Sequence, residues 1–475
     1  MAESPETPER QNAAALSRRA ALKSGLAWSA VMLAAPNARA ILGAGPSGLN
    51  AASAGLRPED DTYLSVARRA GQWIATSAIS DEQGLRWPAD PRDPKTVSLD
   101  LYNGTPGVVP YWLELHHATR EPEALQFAAA GADYLISTIP DATTADAGLY
   151  TGLAGIAWVL QLTYRATGRD KYLAGARKAL AVIHASAKVG EHGVGWADST
   201  DIISGSAGTG LFLLWAKQHM GDERSLDVAT GVGRALVAAG EPAGDGLRWK
   251  VNTAMARNYP NFSHGTAGVS YFLATLHQAT GEPAFLEAAR AGARYLQSLA
   301  TTTANGGHMV FHSEPGNEAV FYLSWCHGPA GTARLYHRLG QITGQPAYQA
   351  YVDSLAVATV DMKVPERSPG FWNNISQCCG NCGVTEFFTS MHQRRRDPRH
   401  LAFAEVVARD TIARGTAEGD GMKWAQAENR VSPDQVVAQT GLMQGAAGVG
   451  LAMLHLDGVL KGRPPIALLP DNPFA

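Results

Sequence analysis

A glycine-rich step recurs seven times along the chain of 475 residues, and an apolar stretch the length of one helix follows each copy. Two examples are "TGLAGIAWVLQL" at 151 and "HGTAGVSYFLATL" at 264. The first glycines of the seven copies lie 48 to 65 residues apart: Gly104, Gly152, Gly205, Gly265, Gly328, Gly380 and Gly445. Copies at such regular intervals indicate an internal structural repeat.

Each repeat contains two helical segments with different patterns. The segment that precedes a step, for example 121–137, is amphipathic, with apolar residues at positions i, i+3, i+4 and i+7. The segment that follows a step is apolar on most faces, so it should be buried. Short connector motifs that end in Trp predict turns or small hairpins: "GLRW" at 84 and 246, "GVGW" at 193 and "GMKW" at 421.

We therefore predict an all-α fold, a closed ring of seven helical hairpins over residues 60–463. Seven parallel inner helices would be covered by seven outer helices that run antiparallel to them. An open superhelix is the alternative, but neither terminal repeat has the polar face of a cap. In a ring, the inner N-termini open on one face, here called the mouth, and their dipoles favour anionic ligands such as thiolates.

The N-terminal 40 residues have the pattern of an export signal. Arg18 and Arg19 precede a short apolar stretch that ends in the cleavage motif Ala38-Arg39-Ala40. This segment looks like a twin-arginine signal, with a frayed amphipathic helix as the alternative. We expect a signal peptide at 1–40, a flexible linker at 41–59, a C-terminal tail at 464–475 and a periplasmic or extracellular protein.

The charge pattern bears on the partners. The chain has 40 basic and 43 acidic side chains, and the longest basic run in its body is three arginines at 394–396. We therefore expect no nucleic-acid partner. No run of 18 apolar residues occurs, so we expect no transmembrane segment. We also expect the protein to be a monomer.

All four cysteines lie in two adjacent repeats. Cys326 and Cys378 each stand two residues before the first glycine of a step, and Cys379 follows Cys378. Equivalent positions of adjacent repeats should be neighbours, so three thiolates can converge and bind Zn²⁺ with one position open. The alternative is that they are small buried apolar residues. Cys382 could be a fourth ligand, a redox partner of Cys379, or a packing residue like the alanines in its slot elsewhere.

Polar residues mark the same mouth in other repeats. His264 directly precedes Gly265, and Asp201 stands four residues before Gly205. We predict a functional role for both, because the same face of adjacent repeats holds the cysteines. His327, next to Cys326, is a third candidate, although it could serve only to hydrogen-bond the loop.

The motifs "SHGTAG", "WCHGPAG" and "CCGNCG", in this order on a sevenfold helical repeat, resemble the lanthionine synthetase C-like family over roughly residues 60–460. The resemblance implies an α/α toroid with a zinc ion at the mouth. It also implies the reaction of the bacterial cyclases, in which a peptide Cys thiol adds to a dehydroalanine or dehydrobutyrine to form a thioether.

The resemblance assigns roles to individual residues. Cys326 matches the cysteine ligand of the W-C-x-G motif, and Cys378 that of the C-H-G motif. Cys379 stands where the family usually has a histidine ligand. His264 matches the proposed acid/base histidine, and Asp201 the aspartate of the preceding repeat. One departure is Tyr322, which stands where the cyclases carry an arginine.

The leading hypothesis is a zinc protein that activates a peptide or small thiol for addition to a dehydroamino acid, with His264 or His327 supplying the proton. A non-catalytic member that binds thiols, peptides or a partner at the zinc mouth is the first alternative. A secreted glycan-active enzyme is the second. Its two acids would come from among Asp198, Asp201 or Glu386, and its aromatic platforms from Trp87, Trp196, Trp249 and Trp424.

Overall fold

The computed structural model describes residues 63–141, 145–366, 371–428 and 430–474, with backbone only at 371–372. The predicted signal at 1–40 and linker at 41–59 lie outside the described residues. Within those ranges the chain forms fourteen α-helices, one short 3₁₀ helix at Pro94–Thr96 and seven two-stranded sheets. No helix in this part of the chain is both long and apolar enough to cross a membrane.

The helices alternate between an outer and an inner layer. The outer helices are α1 (Tyr63–Thr76), α3 (Pro122–Thr138), α5 (Asp170–Ser186), α7 (Arg224–Ala238), α9 (Pro283–Ser298), α11 (Pro346–Asp361) and α13 (Pro398–Ala413). The inner helices are α2 (Thr105–Thr119), α4 (Leu153–Thr167), α6 (Ser206–Met220), α8 (Thr266–Thr280), α10 (Pro329–Thr343), α12 (Asn381–Arg395) and α14 (Ala446–Lys461).

The ring of inner helices is closed. Each inner helix packs against the next one, and α14 packs against both α1 and α2. The predicted α/α toroid of seven helical hairpins is therefore confirmed, and the open superhelix is excluded. The inner helices supply the core because nearly all of their first eleven residues are buried, whereas the outer helices bury one face only.

The strands lie in the connectors between hairpins. Six pairs are antiparallel: β1 (Ile79–Asp81) with β2 (Gly84–Arg86), β3 (Lys188–Gly190) with β4 (Gly193–Gly195), β5 (Glu241–Ala243) with β6 (Gly246–Arg248), β7 (Thr301–Thr302) with β8 (His308–Met309), β11 (Thr416–Glu418) with β12 (Gly421–Lys423), and β13 (Ala425–Ala427) with β14 (Val436–Ala438). β9 (Phe321–Tyr322) pairs in parallel with β10 (Phe371–Trp372) and joins the connectors that lead to the two cysteine motifs. The predicted hairpins at the Trp-containing motifs are thus present.

The local structure explains why both positions of each step are occupied by glycine. The first glycine is the N-cap of its inner helix in all seven repeats. A Cβ on the second glycine would lie 1.8–2.5 Å from the carbonyl oxygen six residues earlier, again in every repeat. The loop before each inner helix therefore crosses directly over its first turn, and only glycine leaves room for that crossing.

The second glycines are predicted to tolerate no side chain. In Gly448→Ala the new methyl group would lie 1.8 Å from the carbonyl oxygen of Leu442, which is backbone and cannot rotate away. We expect the substitution to lower the free energy of unfolding by at least about 2 kcal/mol. Gly190→Ala is the matched control, because its nearest atom would be 3.9 Å away, and it should change stability by no more than about 0.5 kcal/mol. Chemical denaturation of the two variants measures the difference, and equal stabilities would contradict the steric explanation.

The C-terminal segment, residues 464–474, starts at the surface, where Pro464 and Ile466 are exposed, and runs between the inner helices into the centre of the ring from Ala467 onward. Glu114 of α2 accepts hydrogen bonds from the backbone N–H groups of Ile466 and Ala467, each at 2.9 Å. On the other side of the ring, Phe474 packs against the rings of His337 in α10 and Phe387 in α12. From Ala467 onward, the segment that we expected to be a tail thus packs between the inner helices.

A buried ion pair supports this arrangement. His455 Nδ1 lies 2.8 Å from Glu386 Oε1, and its Nε2 lies 3.8 Å from Glu114 Oε2. Burial opposes a charge on this imidazole, but the carboxylates of Glu386 and Glu114 outweigh it and raise the pKa of His455 to about 10.

The raised pKa of His455 predicts a loss of stability in alkali. A histidine in the unfolded chain has a pKa of about 6.5. The ion pair should therefore stabilise the fold fully below that pH and lose its effect as the pH rises through about 10. The difference in unfolding free energy between the wild type and His455→Gln should therefore shrink steadily across this window. Denaturation at a series of pH values tests this, and a gap independent of pH would contradict the assignment.

Candidate metal centre

Backbone hydrogen bonds hold the seven glycine-step loops side by side around the mouth. The position two residues before each first glycine takes part in every repeat. The Cys326 N–H donates to the Cys378 carbonyl at 3.0 Å, the Cys378 N–H donates to Met443 at 3.0 Å, and the Met443 N–H donates to Tyr102 at 2.8 Å. Similar bonds continue through the loops before α4, α6 and α8 and return to Cys326. Equivalent positions of adjacent repeats are therefore neighbours, as the sequence argument required.

Three cysteine sulfurs meet at one point of this circle. Cys326 Sγ lies 3.3 Å from Cys379 Sγ, which lies 3.4 Å from Cys378 Sγ, and all three fall within 4.8 Å of one another. The three residues are 2%, 4% and 7% exposed, in the order Cys326, Cys378, Cys379, and none forms a disulfide. Among the residues that the structure describes, this is the one group of His, Cys, Asp and Glu side chains found with the spacing of a metal site.

The sulfur cluster fits a zinc ion. Two sulfurs that each lie about 2.3 Å from one tetrahedral ion are about 3.8 Å apart, so the cluster needs to open by only a few tenths of an ångström. Three thiolates are also the soft ligands that zinc prefers, and the N-termini of the inner helices favour their negative charge. A three-ligand set leaves one coordination position for a substrate.

Cys382 lies apart from this cluster. It is fully buried in the first turn of α12, and its thiol contacts Thr411 of the outer helix α13. Burial raises the pKa of the Cys382 thiol well above its usual range. Of the three roles left open by the sequence, the structure supports the packing role.

Tyr102 is a neighbour of the cluster that sequence reasoning missed. The Gln444 amide donates a hydrogen bond to the Tyr102 hydroxyl at 2.8 Å, which leaves the hydroxyl proton free to bond the Cys378 sulfur. Burial alone would raise the pKa of Cys378, but hydrogen bonds from the Cys326 and Cys379 thiols and from Tyr102 lower it well below its usual range. The cluster therefore holds a thiolate readily at Cys378.

His264 and Asp201 form a pair beside the cluster, as their positions at the mouth suggested. His264 Nδ1 lies 2.5 Å from Asp201 Oδ2, and Asp201 is 1% exposed and also accepts the backbone N–H of Ser204 at 2.9 Å. The His264 side chain is 38% exposed, so part of its imidazole is accessible at the mouth. Burial opposes a charge on His264, but Asp201 outweighs it and raises the pKa of the imidazole. Asp201 thus fixes both the tautomer and the orientation of His264.

His327 lies in an aromatic cluster at the mouth. Its ring centroid is 4.4 Å from that of His312 and 5.7 Å from that of His264, and Tyr259 and Tyr322 complete the group. Burial, with His312 and His264 nearby, lowers the pKa of His327 well below its usual range. His327 is therefore neutral and less suited than His264 to donating a proton.

Two further residues at the mouth gave no signal in the sequence. His312 has its pKa lowered to about 3 by burial and by Arg430. Arg430 comes from the connector before α14 and contacts the Tyr322 hydroxyl and Asn317, the latter at 3.2 Å. The guanidinium thus lies beside Tyr322, although more than a hundred positions separate the two residues in sequence.

The residues proposed for a glycan-active site are not assembled into one. Asp198 is exposed and bonds Thr253, Asp201 is paired with His264, and Glu386 lies in the ring centre with His455. Three of the four recurring tryptophans are fully or almost fully buried: Trp87, Trp249 and Trp424. Indole N–H groups also donate hydrogen bonds of 2.7–2.8 Å to carbonyls near the ends of outer helices; these are the N–H groups of Trp196, Trp249 and Trp424. The buried Trp87, Trp249 and Trp424 therefore offer no sugar platform, and Trp196 is held at the end of an outer helix.

Comparison with known proteins gives one matching family and several similar solved structures. The model of the family described as lanthionine synthetase C-like protein matches residues 95–459. Among solved structures, nisin cyclase aligns with a TM-score of 0.59 and 16% identity, covering 83% of this chain and 98% of its own.

An α-1,6-mannanase from Salegentibacter sp. HEL1_6 aligns with a TM-score of 0.45 and 13% identity, covering 84% of this chain and 99% of its own. A sugar epimerase from a ruminal bacterium aligns with a TM-score of 0.47 and 13% identity, covering 84% of this chain and 98% of its own. No curated protein matches the chain in sequence.

Proposed function

Because the chain belongs to the lanthionine synthetase C-like family, we propose that it binds one zinc ion and activates a thiol for addition to a dehydroamino acid. Cys326, Cys378 and Cys379 would hold the ion. The observation that carries the proposal is the group of three buried sulfurs at the mouth with the His264–Asp201 pair beside it.

Different residues would have different roles in the reaction. When bound, zinc would lower the pKa of the substrate thiol and hold it as a thiolate. Asp201 keeps the proton of His264 on Nδ1 in the neutral ring, so that Nε2 exchanges a proton with the substrate. Tyr102 bonds Cys378 and fixes its sulfur within the ligand set. The Arg430 guanidinium beside Tyr322 adds positive charge that favours the enolate oxygen.

The reaction balances without a further reactant. The thiolate sulfur forms a bond to the β-carbon of the dehydroamino acid, and the electron pair of the carbon–carbon double bond moves to the carbonyl oxygen as an enolate. His264 delivers a proton from Nε2 to the α-carbon, and the proton released by the thiol restores it. The product is a thioether that contains all atoms of the two reactants.

The dehydroamino acid and the thiol would belong to the same peptide, or a small thiol would add to the dehydroamino acid of a peptide. The structural similarity to a protein named as a cyclase of nisin supports a peptide substrate. We also propose that residues 1–40 direct export through the twin-arginine pathway, because the paired arginines, apolar stretch and cleavage motif occur in the required order. The protein would then act in the periplasm or outside the cell.

The proposal is tested with the zinc-loaded protein and a peptide that contains one Cys and one dehydroalanine. Ring closure leaves the peptide mass unchanged, so alkylation of the remaining thiol followed by mass spectrometry measures it. We expect the alkylatable fraction to fall faster than in the enzyme-free reaction. The same peptide with Ser in place of dehydroalanine is the control and should keep its thiol. Bound zinc without any gain over the uncatalysed rate, with the peptide and with a small thiol, would favour the non-catalytic alternative.

A further inference from the structure

The C-terminal segment reaches the inner side of the metal-site loops. Asp471 is fully buried, and its carboxylate accepts hydrogen bonds from Trp325 Nε1 at 3.1 Å and from the Tyr150 hydroxyl at 2.9 Å. Arg334 Nη1 lies 3.0 Å from the same carboxylate and donates to the Asp471 backbone carbonyl at 2.8 Å. One acidic side chain near the end of the protein thus joins two mouth loops and one inner helix.

Trp325 connects this carboxylate to the candidate metal ligands. It is 4% exposed, its ring packs against Tyr150 and Phe262, and Cys326 is the next residue. The Trp325 carbonyl lies over Gly331, whose added Cβ would meet it at 1.8 Å. The backbone of Trp325 is thus fixed against the first turn of α10, and its indole is held by Asp471, so the position of Trp325 sets the position of the adjacent Cys326.

Within the described part of the chain, the partners found for the Asp471 carboxylate are Trp325, Tyr150 and Arg334. A buried carboxylate is costly unless it is paired and hydrogen-bonded, so these three residues offset the cost of burying it. Without Asp471, the Arg334 guanidinium, whose second interaction is with the Phe262 ring, would remain buried beneath the loops. The ring centre is therefore electrostatically complete only when the C-terminal segment is inserted.

We infer that Asp471 is a positioning residue for the metal centre: through Trp325 it holds Cys326 at the spacing that zinc binding requires. The inference rests on the proposed function, because it presumes that the three cysteines bind zinc. It also gives the C-terminal segment a role beyond filling space. The hydrogen bonds to Glu114 anchor the segment deeper in the ring. The hydrogen bonds of Asp471 to Trp325 and Tyr150 connect the segment to the mouth.

The test is Asp471→Asn in the full chain, which keeps the shape but removes the charge and places an NH₂ donor among three donors. We expect zinc affinity, measured by competition with a chelator, to fall about 10- to 100-fold, as for residues that orient metal ligands. In the cobalt-substituted protein, the visible absorption of the sulfur-bound Co²⁺ should shift. Helical content by circular dichroism should stay unchanged.

Asp457→Asn is the matched control. Asp457 is another buried carboxylate, 3% exposed, but it pairs with Lys461 and Arg463 at the far end of α14 from the mouth. Its loss should lower stability and leave zinc affinity and the cobalt spectrum unchanged. Should Asp471→Asn not fold, Trp325→Phe removes the indole donor, with some ring volume, but keeps an aromatic side chain, and it should shift the cobalt spectrum in the same direction.

The outcomes separate this inference from the proposed function. If the wild type binds neither zinc nor cobalt, the proposed function fails and the positioning role fails with it. If the wild type binds both and Asp471→Asn, or Trp325→Phe in its place, binds them with the same affinity and spectrum, only the positioning role is overturned. An equal change in the Asp457→Asn control would also overturn it.

Discussion

We expect the substitution Cys378→Ala to reduce the zinc affinity of the protein by more than about 100-fold. Loss of a residue that merely orients a ligand costs about 10- to 100-fold, and loss of one of three direct ligands should cost more. Cys378 also forms the thiolate that Tyr102 and the other two thiols stabilise. Metal content after dialysis against a weak chelator should fall from about one zinc per chain to almost none.

Cys382→Ala is the control for this loss. Cys382 is as buried as the three clustered cysteines and follows Cys379 by three positions, but it faces Thr411 of α13. We expect this variant to keep its zinc and to lose about 1 kcal/mol of stability, because a packed sulfur is removed. If Cys382→Ala lost the metal and Cys378→Ala kept it, the assignment of the ligands would be wrong.

The substitution His264→Asn is predicted to slow thioether formation by about 10²- to 10⁴-fold, which is the usual contribution of a positioned acid or base. Zinc content should stay at the wild-type level, because His264 is not among the clustered sulfur ligands. Asn retains a polar group that can bond Asp201 but cannot deliver a proton to the α-carbon. Initial rates of thiol consumption measure the effect.

His327→Asn serves as the comparison at the same mouth. Its imidazole is buried and neutral, with a pKa well below the usual range, so its loss should slow the reaction much less than the loss of His264. Equal losses in the two variants, with zinc retained in both, would contradict the assignment of proton transfer to His264.

The ring and its cysteine cluster could be predicted because both follow from repetition. The first glycine of every step became the N-cap of an inner helix, and the circle of backbone hydrogen bonds brought Cys326 beside Cys378. His264 and Asp201 were found for the same reason, since each stands at a defined place in a repeat. Their side chains meet because α6 and α8 are neighbours in the ring.

The other residues of the site could not be found in this way. Arg430 and His312 lie in irregular connectors, where no period relates one repeat to another. Asp471 lies in "PPIALLPDNPF", whose prolines break any helical pattern and suggested a tail. Its place in the ring is set by long-range packing, which the local sequence does not encode.

The central claim is that three cysteines of this chain bind zinc at the mouth of the toroid. Elemental analysis combined with zinc-edge X-ray absorption of the purified protein tests it most directly. We expect about one zinc per chain, with three sulfur neighbours at about 2.3 Å. A protein without zinc, or a zinc ion with only nitrogen and oxygen neighbours, would contradict the account.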